Sequence, residues 1–355
     1  MKKDPVCKME VEETDAVTTE YDGETYYFCS TGCRDLFLDD KGSNPPDEPP
    51  DLIIIGGGPA GLTAAVYAST LKMNAFLITA DLGGQAIDST KIRNYMGYDF
   101  VTGPELIDKF KYQLIHSHYI KHLMCEVETI EAVDGGYRVT TADFKRYSAR
   151  ALIVATGMTR RRLNVPGEDE FQRKGLFYGN IQDFAFVHGK EVAVVGGGNS
   201  ALQMVENLHG VASSIHLICD SRLTADPAII ENTSRFGNVR THEGYKVVDF
   251  SGEASLSAIR IRKKGGEDIE RLPVEGVFVA IGFRANSSLV SSFVKLNKRG
   301  EIMINHDCSS SRPGIFAAGD VTDAFGKRII IASGEGAKAA MAARQYLSNM
   351  KRTAP

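Results

Sequence analysis

Twice along this chain a run of apolar, strand-forming residues breaks into three glycines and then into a helix-forming stretch. The first copy reads Leu52-Ile53-Ile54-Ile55, then Gly56-Gly57-Gly58-Pro59-Ala60-Gly61. The second reads Val192-Ala193-Val194-Val195, then Gly196-Gly197-Gly198-Asn199-Ser200-Ala201. In a G-x-G-x-x-G/A turn the first glycine permits the tight bend and the second lets a pyrophosphate approach the backbone. The third small residue lets the helix pack close on the strand, and the helix amino terminus then offers unpaired N–H groups to the phosphates. Each copy is followed by another strand-like run, AFLITA over 75–80 and SIHLIC over 214–219. The repeat predicts an α/β chain with two Rossmann-like, three-layer dinucleotide-binding domains.

The length of 355 residues accommodates two or three domains at roughly 100–200 residues each. Forty-one Lys+Arg against 45 Asp+Glu give a net charge of −4, which argues against a nucleic-acid partner or an anionic membrane surface. No apolar run approaches the roughly 18 residues of a membrane span, and no apolar signal core opens the chain, so no membrane association and a cytoplasmic location are expected. Six cysteines are too few for a secreted disulfide scaffold, yet Cys7, Cys29 and Cys33 crowd into the first tenth of the chain.

The strand after the second glycine turn ends in Cys219-Asp220. An acid about twenty residues beyond the glycines accepts hydrogen bonds from a ribose 2′-OH and repels a 2′-phosphate, so NADH is expected in preference to NADPH. The alternative is a solvated loop carboxylate. The stretches ALIVATG (151–157) and EGVFVAIG (275–282) predict two further buried strands. GIFAAGDV followed by IIIASGEGAKAAMAARQYL predicts a strand, a loop and an amphipathic helix.

These motifs, with GGQ (83–85), Asn94 before Tyr95-Met96-Gly97, and VPGE (165–168), occur in order over about 300 residues. In them the chain resembles the low-molecular-weight thioredoxin reductases, and still more the flavoprotein subunit of alkyl hydroperoxide reductase. The resemblance implies FAD in the first site, a nicotinamide nucleotide in the second, and a homodimer. It also implies a flavin domain split by an inserted nucleotide domain: 51–159 and 275–350 around 160–274. By position, FAD would be held by Gly56, Gly58, Pro59, Ala60, Gly61, Gly84, Gln85, Asn94, Val127, Thr156, Gly157, Gly319, Asp320, Lys327, Arg328 and Ile329. The nicotinamide nucleotide would be held by Gly196, Gly198, Asn199, Ser200, Ala201, Asp220, Ile281 and Gly282. Lys327-Arg328 stand where relatives carry a basic residue and glutamine. A cation near the flavin N1–C2 edge would raise its potential; alternatively Arg328 points outward and offers only its backbone.

One departure bears on function. Relatives carry C-x-x-C-D where this chain has Gly179-Asn180-Ile181-Gln182-Asp183. Disulfide exchange needs one thiolate to attack and another to resolve, so Gly179 and Gln182 remove it. Asp183 remains, either as a proton donor near the flavin or as a structural helix cap.

Residues 1–40 form a small Cys-containing α+β unit, expected as a hairpin and a short helix near Ser30–Leu38. Residues 41–50, rich in proline and acid, read as a stiff tether. The unit resembles the YHS domain in Tyr26-Tyr27-Phe28-Cys29-Ser30, without that family's histidine. A piece this short needs a metal, a disulfide or a partner surface. Cys7, Cys29 and Cys33 make a soft donor set for Cu(I) or Zn, although no histidine precedes His116 to complete a Cys3His zinc site. A structural reduced head, or Cys29/Cys33 as a redox pair replacing the missing dithiol, are the alternatives.

The expected function is hydride transfer from NADH to FAD, with electrons passed directly to a small oxidant, a quinone, a metal ion or a redox protein. A disulfide reductase using Cys29/Cys33 or a partner dithiol, and a non-catalytic metal or redox sensor, are the competing expectations.

Overall fold

The computed structural model describes residues 2–21, 23–42, 48–89, 92–115, 120–178, 184 and 186–353. The chain forms two compact units, residues 1–159 with 284–355, and residues 160–283.

The amino-terminal head belongs to the first unit. Strands β1 (Lys2–Lys3) and β2 (Glu10–Val11) pair antiparallel, β3 (Val17–Tyr21) and β4 (Glu24–Phe28) form a hairpin, and helix α1 (Thr31–Gly42) follows. Tyr21, Tyr26 and Phe28 gather round Phe37, with ring centroids 4.6–6.0 Å apart. This nucleus is too small to stand alone. Val6, Cys7, Phe28, Cys33 and Phe37 are continuous with the buried residues of the sheet and helices that follow, so the head meets its need for a core on a partner surface within the chain.

Strands β5 (Leu52–Gly57), β6 (Ala75–Leu82) and β7 (Ile120–Met124) alternate with helices α2 (Pro59–Thr70) and α3 (Gly103–Ile115). A meander of β8 (Val127–Val133), β9 (Gly136–Thr141) and β10 (Arg146–Ala149) leads to β11 (Ala151–Val154), and β12 (Met158–Arg160) leaves the unit. Period-two alternation divides the parallel strands: Leu52, Ile54, Leu77 and Ile153 face the helices, whereas Ile53, Ile55, Ile78 and Leu152 face the meander.

In the second unit α4 (Glu168–Phe171) and β13 (Leu176–Phe177) precede β14 (Glu191–Val195), α5 (Asn199–His209), β15 (Ser214–Cys219), α6 (Pro227–Ser234) and β16 (Val239–Glu243). Strands β17 (Tyr245–Gly252), β18 (Leu256–Lys263) and β19 (Ile269–Pro273) form a second meander, and β20 (Gly276–Val279) returns to the parallel sheet, whose order is β13-β20-β14-β15-β16. This corrects one expected boundary. The strand within 275–282 does not open the second part of the flavin domain; it hydrogen-bonds to β13 and β14 inside the nucleotide unit.

The chain returns through β21 (Phe283–Ala285), adds β22 (Ile315–Ala317) to give the first sheet the order β22-β11-β5-β6-β7, and ends in α7 (Ile329–Thr353). A Cβ on Gly336 would strike the backbone of Ala60, so this glycine is what lets α7 lie against the start of α2.

Candidate flavin and nucleotide sites and a buried thiol centre

In the first unit several backbone turns converge on the start of α2. Gly56 has φ +111°, and a Cβ there would collide with the carbonyl of Ala155. The GGQ turn lies against it: a Cβ on Gly84 would sit 3.3 Å from the Cα of Gly58, Gly83 N donates to Gly57 O at 2.8 Å, and Gly84 N donates to Asp81 Oδ1 at 3.0 Å. On the other side a Cβ on Gly319 would sit 2.9 Å from that of Ala60. Gly58 and Gly157 face open space, and no side chain caps α2, leaving its N–H groups for a ligand. Asp320 is partly buried beside this cradle, and desolvation raises its carboxyl above the usual range against the pull of Lys327 and Arg328.

An uncapped helix start, an open glycine cradle and a carboxylate beside them fit FAD. Gln85 extends from the GGQ turn to donate to Met158 O at 2.7 Å. Thr156 Oγ1 donates to Asn286 O at 2.7 Å, and Asn286 Nδ2 donates back to Thr156 O at 2.8 Å. Lys327 donates to Thr322 O and lies 3.4 Å from Glu301 with its side chain half-buried, whereas Arg328 stays exposed. Asn94 is exposed, Val127 is buried in the meander core, and Ile329 begins α7 half-buried.

The second unit repeats the arrangement. A Cβ on Gly196 would collide with the carbonyl of Ala280, one on Gly197 would meet Cys219 Cβ at 3.2 Å, and α5 likewise lacks a side-chain cap. Gly198 and Ser200 border this start, Ala201 is buried beneath it, and Asp220 stands exposed directly after β15. Asn199 exchanges two 2.8 Å hydrogen bonds with Asp226. Gly282 O accepts the N–H of Arg161, and Ile281 packs at the edge of the same core.

Gly179, Gln182 and Asp183 lie outside the described residues. The approach to them is anchored: Tyr178 hydroxyl bonds to the buried Glu168, and Arg160 donates to Tyr178 O.

The head holds the clearest cluster. Cys7, Cys29 and Cys33 come together with Sγ···Sγ separations of 3.4 Å (Cys7–Cys29) and 3.6 Å (Cys29–Cys33). Asp4, which sequence reasoning missed, organises them. Its Oδ1 accepts the N–H of Val6 at 2.7 Å and of Cys7 at 3.2 Å, and its Oδ2 that of Cys29 at 2.8 Å. A second missed residue comes from α3: Lys111, fully buried, donates from Nζ to Cys33 Sγ at 2.8 Å and lies 3.4 Å from Asp108. Ser30 donates to Asp108 at 3.2 Å, and Leu82 N donates to Val6 O at 3.2 Å, one residue before the GGQ turn.

Hydrogen bonds from Cys33 and Cys7 draw the Cys29 thiol far below its usual range, and the same bonding to Cys29 pushes Cys33 up and Cys7 up to about 12. Burial works against the charge on Lys111, but the sulfurs outweigh it and hold the ammonium charged. Since the lowered thiol is Cys29 while the ammonium touches Cys33, the negative charge is best described as shared across the sulfur triangle.

The donor set fits a soft metal ion. Tetrahedral bonds of about 2.3 Å separate two sulfurs by roughly 3.8 Å, close to the spacing here. The ligand atoms of Asp4, Cys7, Cys29 and Cys33 all lie within 4.8 Å of one another. Among the described residues, no helix is long and apolar enough to cross a membrane.

The chain matches the family described as pyridine nucleotide-disulphide oxidoreductase over residues 50–345, and the YHS domain over residues 2–42. The alkyl hydroperoxide reductase F subunit of Staphylococcus epidermidis is 33% identical over 301 residues, and its counterpart in Escherichia coli K12 is 34% identical over 311 residues. These alignments cover 84% and 85% of this chain, which spans only 59% of either relative. Among solved structures, thioredoxin reductase of Lactococcus lactis aligns with a TM-score of 0.69 at 28% identity, over 84% of this chain and 99% of that one. The T. acidophilum enzyme aligns at 0.65 and 28%, over 84% and 98%. On the two glycine turns, the two parallel sheets and these matches, the chain belongs to the pyridine nucleotide-disulphide oxidoreductase family, with a YHS domain at its amino terminus.

Proposed function

We propose that the protein is an NADH-dependent FAD oxidoreductase whose electrons leave the flavin directly for an acceptor, with no internal dithiol between them. The observation that carries this reading is the segment after β13. Gly179 and Gln182 stand there, and the only thiol in residues 160–283 is Cys219, buried and bonded to Ser221 O. Without an attacking and a resolving thiolate, disulfide exchange has no place to occur in this unit.

Bound FAD supplies two-electron acceptance from a nicotinamide and onward electron transfer. The chain's own residues bind and orient. The α2 start and Gly56–Gly61 turn hold a pyrophosphate, Asp320 accepts hydroxyl hydrogen bonds, and exposed Arg328 offers positive charge. Gly196–Ala201 hold the nucleotide phosphates, and Asp220 reads the ribose 2′-OH. Asp183 is assigned proton delivery to the acceptor. A small oxidant, a quinone, a metal ion or a redox protein remains the acceptor class, and a homodimer belongs to the same proposal.

The short sulfur separations in the head favour a second reading, a disulfide reductase exchanging through Cys29 and Cys33. Anaerobic NADH titration of wild type and of Cys29→Ser/Cys33→Ser separates the two. Flavin bleaching by two electrons in both proteins, with turnover of a quinone or oxygen, supports direct transfer. Four electrons in wild type and two in the variant would establish the dithiol instead.

A further inference from the structure

We propose that the head's sulfur centre is a metal site shared between two parts of the chain. Cys7, Cys29 and Cys33 ligate a soft ion, and Lys111 of the flavin-binding unit completes the site as a hydrogen-bonding counter-charge on Cys33. This goes beyond the flavin reading and does not depend on it.

Lys111 is fully buried. An ammonium with no exposure must be paired, and one thiolate is enough for that. Yet three sulfurs converge here, and the donor set exceeds what the lysine needs. Asp4 already accepts three backbone N–H groups, which fix the loops bearing Cys7 and Cys29. It therefore positions ligands, while the sulfurs supply the donors. Cys29 is only half-buried, which gives an ion its way in.

Charge then explains the lysine. Three thiolates around a monovalent or divalent ion leave net negative charge in a buried place, and one ammonium on Cys33 offsets part of it. An N–H bond to a metal-bound sulfur is also a recognised means of tuning such sites. Because Lys111 lies on α3, outside the head, the site reaches full affinity only when the head is seated through Ser30–Asp108 and Val6–Leu82.

The test uses the full chain, purified with its flavin, under anaerobic conditions. Cu(I) and Zn(II) affinities are measured by competition with a chromogenic chelator, and Cu(I) binding is also followed by thiolate-to-metal charge-transfer absorption. Wild type binds one ion. Lys111→Gln, one atom shorter and uncharged, weakens binding by about 10–100-fold, the usual effect of losing an outer partner, and Lys111→Arg retains most of it. Lys111→Leu serves in place of glutamine if that variant does not fold, with a loss of the same sign. Equal or tighter binding in the uncharged variants would overturn the proposal by showing that the lysine stands apart from the ion or competes with it. Failure of the wild type to bind either ion overturns it as well. Both readouts are independent of NADH oxidation, so the flavin reading stands or falls separately.

Discussion

The carboxylate of Glu335, only 5% exposed, accepts the backbone N–H of Gly319 at 2.7 Å. It also receives the hydroxyl of Thr322 at 3.3 Å, so α7 fixes the turn that carries Asp320 against Ala60. Glu335→Ala leaves a buried N–H without its acceptor, at a cost of about 1–3 kcal/mol. The expected result is FAD affinity reduced about tenfold or more, read by flavin fluorescence on dilution, because about 1.4 kcal/mol corresponds to a factor of ten. Glu335→Gln keeps a carbonyl acceptor and loses less. FAD binding unchanged in the alanine variant would show that this turn does not hold the cofactor.

Asp220 stands exposed at the end of β15, next to the strand end whose Cys219 lies against Gly197. A carboxylate in that position accepts from a ribose 2′-OH and repels a 2′-phosphate. Asp220→Arg is expected to shift the ratio of kcat/KM for NADH over NADPH by at least about tenfold toward NADPH, since both the hydrogen bond and the repulsion are removed. An unaltered ratio would assign the discrimination to other residues.

The glycine turns were readable because their causes are local. Gly56 and Gly196 need positive φ and a close backbone neighbour, and the chain writes that need as glycine. Lys111 gave no such signal. In the sequence it is one of two lysines around Phe110, as on any solvated helix face, and its partner Cys33 lies 78 residues away. Asn286 and Glu335 were silent for the same reason: each serves a backbone group that only the folded chain brings near, as Asp4 does for Cys29 N, although its bonds to Val6 and Cys7 are local. The strand β20 was legible as a buried strand, but a parallel strand covered on both faces carries the same residues in either sheet, so its membership was not.

Asp4 offers a test of how the head is held. Its carboxylate satisfies the N–H groups of Val6, Cys7 and Cys29, and it has no exposure itself. Asp4→Ala orphans all three, each at about 1–3 kcal/mol if it stays buried, more than so small a nucleus can absorb. The head is expected to open locally while the flavin sheet persists. Cys33, fully buried in the wild type, then reacts with a maleimide at least about tenfold faster, with little change in the visible flavin spectrum. Unchanged thiol protection would mean that the aromatic nucleus and Lys111 suffice without the carboxylate.

In the second unit, His216 Nδ1 and His242 Nε2 lie 3.0 Å apart on neighbouring strands β15 and β16. Burial is the first cause that holds both imidazoles below the usual histidine range. The charge of His242 lowers His216 further, and Glu191, Arg240 and Glu270 act around the pair. At a 3.0 Å approach one ring nitrogen must donate and the other accept, so the pair cannot take up two protons and keep its contact. The unfolded chain has no such restriction and protonates each ring near pH 6.5. Unfolding therefore takes up protons, and the stability from this pair is present above about pH 6.5 and lost as pH falls through the lowered folded values. Thermal melts from pH 8 to pH 5 should show the second unit weakening below about pH 6.5, and His242→Gln should flatten that slope by leaving one imidazole to titrate without a charged neighbour. Equal slopes in the two proteins would place the acid sensitivity elsewhere, with the pair acting only as a neutral hydrogen bond between two strands.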